Sequence, residues 1–142
     1  SGSKTFTVNA TDNAGNQSLP QIVNYNVGYG NPCLLYFTNL PIKRGLPVPL
    51  WFYLCDANKQ NVSSPRIRVR AVQLVQATTG QMYPITFDGD GNADDDFQYL
   101  VLPWPGSYYL VLNTMGFPAG QFVLYYTAGN DPVQHSLTFQ LF

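Results

Sequence analysis

Not one of the 142 residues is a glutamate; all eight acidic residues are aspartates, at Asp12, Asp56, Asp88, Asp90, Asp94, Asp95, Asp96 and Asp131. Glutamate forms helices readily, whereas asparagine, threonine and serine, which are frequent here, do so poorly. The chain also carries ten tyrosines and nine phenylalanines. With valine and threonine, these residues suit the pleated, half-buried surface of a strand. An all-β fold is therefore favoured before any pattern is inspected, and chemistry that needs paired glutamates is excluded.

The rest of the composition narrows the function classes. Hydrophobic residues make up 45% of the chain, too many for a disordered segment. Charged residues are only 11%, against about 25% in an average globular chain. A net charge of -1 gives no electrostatic footprint for nucleic acid. No stretch approaches the roughly 18 apolar residues of a membrane span, so membrane insertion is not expected. The opening Ser1-Gly2-Ser3-Lys4 runs straight into a strand pattern without signal-peptide features. Such a composition suggests a piece of a longer protein that is extracellular or at the cell surface.

Alternation sets the strand reading. Residues 5–10 place Phe6, Val8 and Ala10 on one face, and residues 21–27 place Val23, Tyr25 and Val27 on one face. The turn signal Asp12-Asn13-Ala14-Gly15-Asn16 lies between them, so the pair reads as a hairpin. Gly28-Tyr29-Gly30-Asn31-Pro32 then reads as a linker. Further strands are expected over 33–38, 48–55, 66–76, 82–87, 97–102, 107–112, 121–127 and 133–142. Val48, Leu50, Phe52 and Leu54 would face the core, and Val133, His135, Leu137, Phe139 and Leu141 would share one face. Inside 66–76 the phase slips: Ile67, Val69 and Ala71 give way to Val72 and Leu74, which reads as a bulge. Short strands spaced by Gly, Pro and Asn turns indicate a β-sandwich or barrel.

Two stretches carry family resemblances. Residues 2–16, ending in Asp12-Asn13-Ala14-Gly15-Asn16, and the strand Val23-Asn24-Tyr25-Asn26-Val27 resemble the last hairpin of bacterial immunoglobulin-like repeats. Residues 42–58, with Gly45-Leu46-Pro47-Val48-Pro49-Leu50-Trp51-Phe52-Tyr53-Leu54, resemble the PxKF domain of bacterial secreted proteins. The closing run from Gly120 through His135 to Leu141 is similar to that family's ending. Trp51 stands where the family usually has its lysine. The resemblance implies an immunoglobulin-like β-sandwich appended to extracellular proteins, with no catalytic residues to carry over. The layout expected is a C-terminal hairpin of a preceding segment (1–28), a linker (29–32) and a sandwich (33–142). The hairpin would pack on the sandwich or complete a module in a neighbouring chain.

Five features could carry chemistry. Asp88, Asp90, Asn92, Asp94 and Asp96 put oxygens at alternate positions of a tight loop, a spacing that suits calcium; the other reading is a solvated acidic loop. Ala93 and Tyr99 depart from an EF-hand. Cys33 and Cys55 would face each other at the open end of paired strands, within disulfide reach if directly opposite. The alternative is two buried thiols. Trp51, Trp104, Tyr108 and Tyr125 could stack on the sugar rings of a polysaccharide, as in a carbohydrate-binding module. Aromatics of a sandwich core satisfy the same pattern. His135, the sole histidine, lies on an apolar strand face and reads as a hydrogen-bonded structural residue. Arg66, Arg68 and Arg70 form a basic stripe, either for an anionic polymer or paired with the aspartates. No nucleophile elbow or phosphate-cradling glycine loop occurs. The expected role is a non-catalytic module that spaces or presents neighbouring domains, stiffened by calcium and a disulfide. The alternative is a module that anchors an enzyme to polysaccharide.

Overall fold

The structure is a computed structural model and describes residues 1–30, 32–36, 41–86, 95–101 and 106–142. Ten strands run along the described chain: β1 (Gly2–Val8), β2 (Gln21–Val27), β3 (Cys33–Tyr36), β4 (Val48–Tyr53) and β5 (Val69–Gln76), then β6 (Met82–Tyr83), β7 (Gln98–Leu100), β8 (Ser107–Leu112), β9 (Gly120–Ala128) and β10 (His135–Leu141). Strands β1 and β2 form a separate two-stranded sheet; the others form two four-stranded sheets, ordered β3-β4-β8-β7 and β10-β9-β5-β6. All ladders between named strands are antiparallel. Lettered A to G with an extra C′ after C, strands β3 to β10 give sheets A-B-E-D and G-F-C-C′. That is the strand order of the immunoglobulin fold. A parallel bridge between Ile42 and Leu141 adds the segment after β3 to the β10 edge. The fold is an all-β, immunoglobulin-like β-sandwich with an additional N-terminal hairpin.

Alternation decides which side chains fill the space between the sheets. In β4, Val48, Leu50 and Phe52 point inward and are buried, while Pro49, Trp51 and Tyr53 are half-buried on the outer face. Phe122 and Leu124 of β9 and Leu137, Phe139 and Leu141 of β10 meet them from the other sheet. The centre is aromatic: the Phe52 ring centroid lies 5.1 Å from Phe97 and 4.9 Å from Tyr126. The Phe122 ring stacks on Phe139 at 5.6 Å. Such contacts add to the area buried by each ring.

The phase slip in β5 is a bulge. Ala71 pairs with Tyr126 and Gln73 with Tyr125, so Val72 is the extra residue of the β5–β9 ladder and turns outward, 42% exposed. The extra residue lets Ala71 and Leu74 both face inward although three positions apart. The expected strands at 66–76 and 82–87 are shorter than the pattern suggested. Arg66 and Ile67 lie in the turn that enters β5, and β6 is a two-residue strand. Residues 37, 38, 87 and 102, at the expected strand ends, lie outside the described residues.

One turn is used twice. Asp12 Oδ1 accepts the N–H groups of Ala14 and Asn16, both at 2.9 Å. Asp56 Oδ1 accepts those of Asn58 and Gln60, both at 2.8 Å. In each turn the fourth residue is left-handed: Gly15 with φ 86° and Lys59 with φ 61°. Glycine adopts that conformation at little steric cost; lysine does not.

The hairpin register is Phe6 opposite Val23 and Lys4 opposite Tyr25, which puts Phe6, Val8, Val23, Tyr25 and Val27 on one face as expected. Of the two expectations for this face, packing on the sandwich or completing a module in a neighbouring chain, the first is not met among the described residues. Phe6 is 50% and Tyr25 46% exposed, and the Phe6 and Tyr25 rings contact each other at 5.9 Å. Among the described residues the hairpin meets the sandwich at its end, where a Cβ on Gly2 would lie 3.3 Å from Asn130 O.

Candidate functional site

The acidic loop and the arginine stripe meet in part. Asp96 forms an isolated bridge with Arg70 of β5, and the Phe97 N–H donates to Val69 O at 2.8 Å. This brings the aspartates beside the arginines. Arg68 Nε donates to Asp96 Oδ2 at 2.7 Å, and its guanidinium also ion-pairs with that oxygen at 2.5 Å. Arg70 pairs with Asp95 at 3.5 Å. Of the five proposed calcium ligands, Asp88, Asp90, Asn92 and Asp94 lie outside the described residues. Asp96 has Oδ2 committed to arginine, while its buried Oδ1 has no hydrogen-bond partner among the described residues. The stripe reads as the partner of the aspartates, and Arg66, in the turn before β5, is not on it.

The proposed sugar-stacking residues do not form one surface. Tyr108 is a correction: it is 1% exposed and belongs to the core. It lies opposite Phe52, which fixes its ring inward. Its hydroxyl is within hydrogen-bond distance of Ser64 O at 2.9 Å and Ile67 O at 3.1 Å, and accepts the Ser64 N–H at 3.3 Å. Trp51 lies on the outer face of the β3-β4-β8-β7 sheet, edge-on to Tyr109 at 5.6 Å, and its indole N–H donates to Ser107 Oγ at 2.8 Å. Tyr125 lies on the outer face of the other sheet, opposite Ser136 and Gln73. Packed sheets stand about 10 Å apart with the core between them, so Trp51 and Tyr125 cannot grip one ligand. Trp104 lies outside the described residues. Tyr53, which alternation with Phe52 and Leu54 already places beside Trp51, is half-buried on that outer face. Tyr109 was missed as their companion: it is half-buried on the same face, and only the register with Trp51 puts it there.

Cys33 and Cys55 form the expected disulfide, with Cα atoms 5.9 Å apart. They are not directly opposite. Cys33 is in register with Tyr53, and Cys55 lies two residues farther along, beyond the end of β4. The bridge ties β3 and β4 within one sheet. In antibody domains the conserved disulfide instead joins strands B and F across the core.

His135 is buried, and its Nε2 lies 2.9 Å from Asp131 Oδ2. Its ring stacks on Tyr126 at 5.5 Å. It is the hydrogen-bonded structural residue that its strand face implied. Asp131 was missed, because in the sequence it is only a turn aspartate before Pro132. Its side chain has no exposed surface, and Oδ2 also accepts the N–H of Tyr29 at 2.6 Å, 102 positions away. Oδ1 accepts the Val133 N–H at 2.9 Å. Burial pushes the Asp131 pKa up, but the Tyr29 and Val133 N–H groups and His135 outweigh it and hold the carboxyl below its ordinary 3.8. Burial pushes the Tyr126 phenol far up, and the Asp131 charge pushes it in the same direction. The Tyr126 hydroxyl is buried without a hydrogen-bond partner among the described residues.

By strand order and pairing, the chain belongs to the immunoglobulin-like class of β-sandwiches. No protein-family model and no curated protein matches its sequence. Among solved structures, a chimeric titin Z1Z2-Z1Z2 tandem functionalised with a GRGDS peptide from fibronectin aligns over 98% of this chain. The identity is 19% and the TM-score 0.35, and this chain spans 63% of that one. The fold assignment rests on the strand order. Among the described residues no helix is long and apolar enough to cross a membrane.

Proposed function

We propose that this chain is a non-catalytic extracellular module that spaces, presents or adheres within a larger secreted or surface bacterial protein. One observation carries the reading: the apolar face of the β1–β2 hairpin, with Phe6 and Tyr25 about half exposed, lies uncovered against the described sandwich. A lone two-stranded hairpin is marginally stable. Completing the burial of five half-exposed side chains would contribute on the order of 5 kcal/mol. A neighbouring module that supplies the remaining strands would provide that cover. The resemblance of the hairpin to the end of bacterial immunoglobulin-like repeats, and of residues 42–58 to the PxKF domain, points the same way. A disulfide persists in oxidising compartments, which fits export. Calcium at the 88–96 loop belongs to this reading as a stiffening ligand.

Hydrogen exchange tests it. The amides of β1 and β2 should exchange fast in the 142-residue chain and at least about 100-fold more slowly in the intact parent polypeptide. Equal exchange in both would remove the reading.

A second reading, attachment to polysaccharide, is favoured by the placement of Trp51, Tyr53 and Tyr109 on one outer face. Affinity electrophoresis in soluble polysaccharides, with calcium and with EDTA, examines it. Retardation abolished by Trp51→Ala and Tyr109→Ala supports it. Unretarded migration across the panel rejects it for those polymers.

A further inference from the structure

Residues 28–30, between the hairpin and the sandwich, have a glycine-rich sequence that would suit a flexible tether. The structure gives the glycines another use. A Cβ on Gly28 would stand 2.9 Å from Asp131 Oδ1, and one on Gly30 would stand 2.8 Å from Asp56 O and 3.1 Å from Cys55 O. Glycine here permits close approach of backbone to the sandwich. The approach is hydrogen-bonded along its length. Tyr29 N–H donates to Asp131 Oδ2 at 2.6 Å, and Gly30 N–H donates to Cys55 O at 2.7 Å. Cys55 is itself fixed to Cys33 by the disulfide. The start of the hairpin meets the same place: Gly2 abuts Asn130, and Ser1 Oγ lies 3.2 Å from the Tyr29 hydroxyl.

Asp131 is the centre of this joint. Its carboxylate collects the N–H of Tyr29 from the connecting segment, the N–H of Val133 from its own turn and Nε2 of His135 from β10. The side chain is fully enclosed, so water cannot replace a lost bond without opening the joint. A buried acceptor stripped of its partners costs about 1–3 kcal/mol, more when charged.

We propose that Asp131 is the lock of an acid-opened joint that fixes the direction of the β1–β2 hairpin relative to the sandwich. The consequence for a larger protein, a fixed angle between successive modules, rests on the module reading above. The lock itself does not. The titratable groups around Asp131 are His135 from β10, Tyr126 from β9 and Tyr29 from the connecting segment. Because the native carboxyl titrates below its ordinary value, its contribution is present above that value and is lost as pH falls through the native one. The joint is therefore closed at neutral pH and opens in acid.

Residual dipolar couplings of the backbone amides in the 142-residue chain test this. At pH 7 one alignment tensor should describe both β1–β2 and the sandwich. In Asp131→Ala the hairpin should lose at least half of its degree of order while the sandwich keeps its own, and Tyr29 amide exchange should accelerate at least tenfold. Gly28→Ala, which pushes on the carboxylate from the hairpin side, should act in the same direction and serves if Asp131→Ala does not fold. Acidification below the carboxyl range should reproduce the loss in the unaltered chain. Independent alignment of the hairpin at pH 7 would overturn the lock, as would a single tensor retained in every variant that folds. A single tensor retained in acid would overturn the acid opening. A closed joint with a hairpin that exchanges equally fast in the parent polypeptide would sustain the lock and sink the module reading. An open joint with a protected hairpin would do the reverse.

Discussion

Replacing Tyr108 with phenylalanine removes one oxygen from the core and nothing else. That oxygen reaches the 64–67 segment leading into β5. It lies 2.9 Å from Ser64 O, 3.1 Å from Ile67 O and 3.3 Å from Ser64 N. A net hydrogen bond contributes about 1 kcal/mol, and a stranded buried acceptor raises the loss. Ser64 and Ile67 are only half-buried, so water recovers part of it. The expected destabilisation is about 1–2 kcal/mol, or roughly 2–8 °C in Tm for a chain of this size. A second signature is independent of temperature. Burial pushes the Tyr108 phenol up to about 12 from 10.0, offset in part by its hydrogen bond to the Ser64 backbone. Between those values the unfolded chain releases the proton and the folded chain keeps it, so stability falls as pH rises through that window. A two-unit shift corresponds to a loss on the order of 2–3 kcal/mol. Urea unfolding of both proteins at intervals from pH 8 to 12 reads both effects. Tyr108→Phe should start lower at pH 8 and decline less steeply above pH 10. Tyr126, also pushed up by burial, still contributes to the decline. A variant within about 0.3 kcal/mol of the parent at pH 8, with an unchanged alkaline slope, refutes the assignment of Tyr108 to the core.

Cys33→Ala with Cys55→Ala opens a loop of sequence separation 22; chain entropy predicts a loss of about 3 kcal/mol, and equal urea midpoints with and without the bridge would contradict it. Lys59→Gly relieves a lysine at φ 61° and should stabilise by about 0.5–1 kcal/mol, with a destabilised variant in thermal unfolding as the contrary result. Phe52→Ala removes the ring that touches Phe97, Tyr108 and Tyr126 and should cost about 3–5 kcal/mol in chemical unfolding. Arg68→Ala breaks an ion pair whose arginine side chain is 64% exposed and should change stability by less than about 1 kcal/mol. A loss above 2 kcal/mol there would mean that the pair organises the loop that precedes it.

Most of the strand faces were legible because alternation is local. Val48, Leu50 and Phe52 announce their face whatever strand lies beside them, and the slip at Val72 announces a bulge before its partner is known. The disulfide was legible from the same pairing, although its register was not. Cys33 faces Tyr53, and the bridge closes two residues beyond the strand. Tyr108 shows where local reading fails. It and Tyr109 are neighbours of the same type, and only the register with Phe52 sends the first inward and the second out.

Sequence alone determined the all-β class, the hairpin with its one apolar face, the core face of β4 and β10, and the structural character of His135. Those properties depend on the two-residue period of a strand and on turn chemistry within five residues. Tertiary structure decided which strands pair, which tyrosines are core, and how Asp131 meets Tyr29 across 102 positions. Such contacts arise when distant strands close into two sheets, and no local pattern in the chain records which donor a turn carboxylate will find.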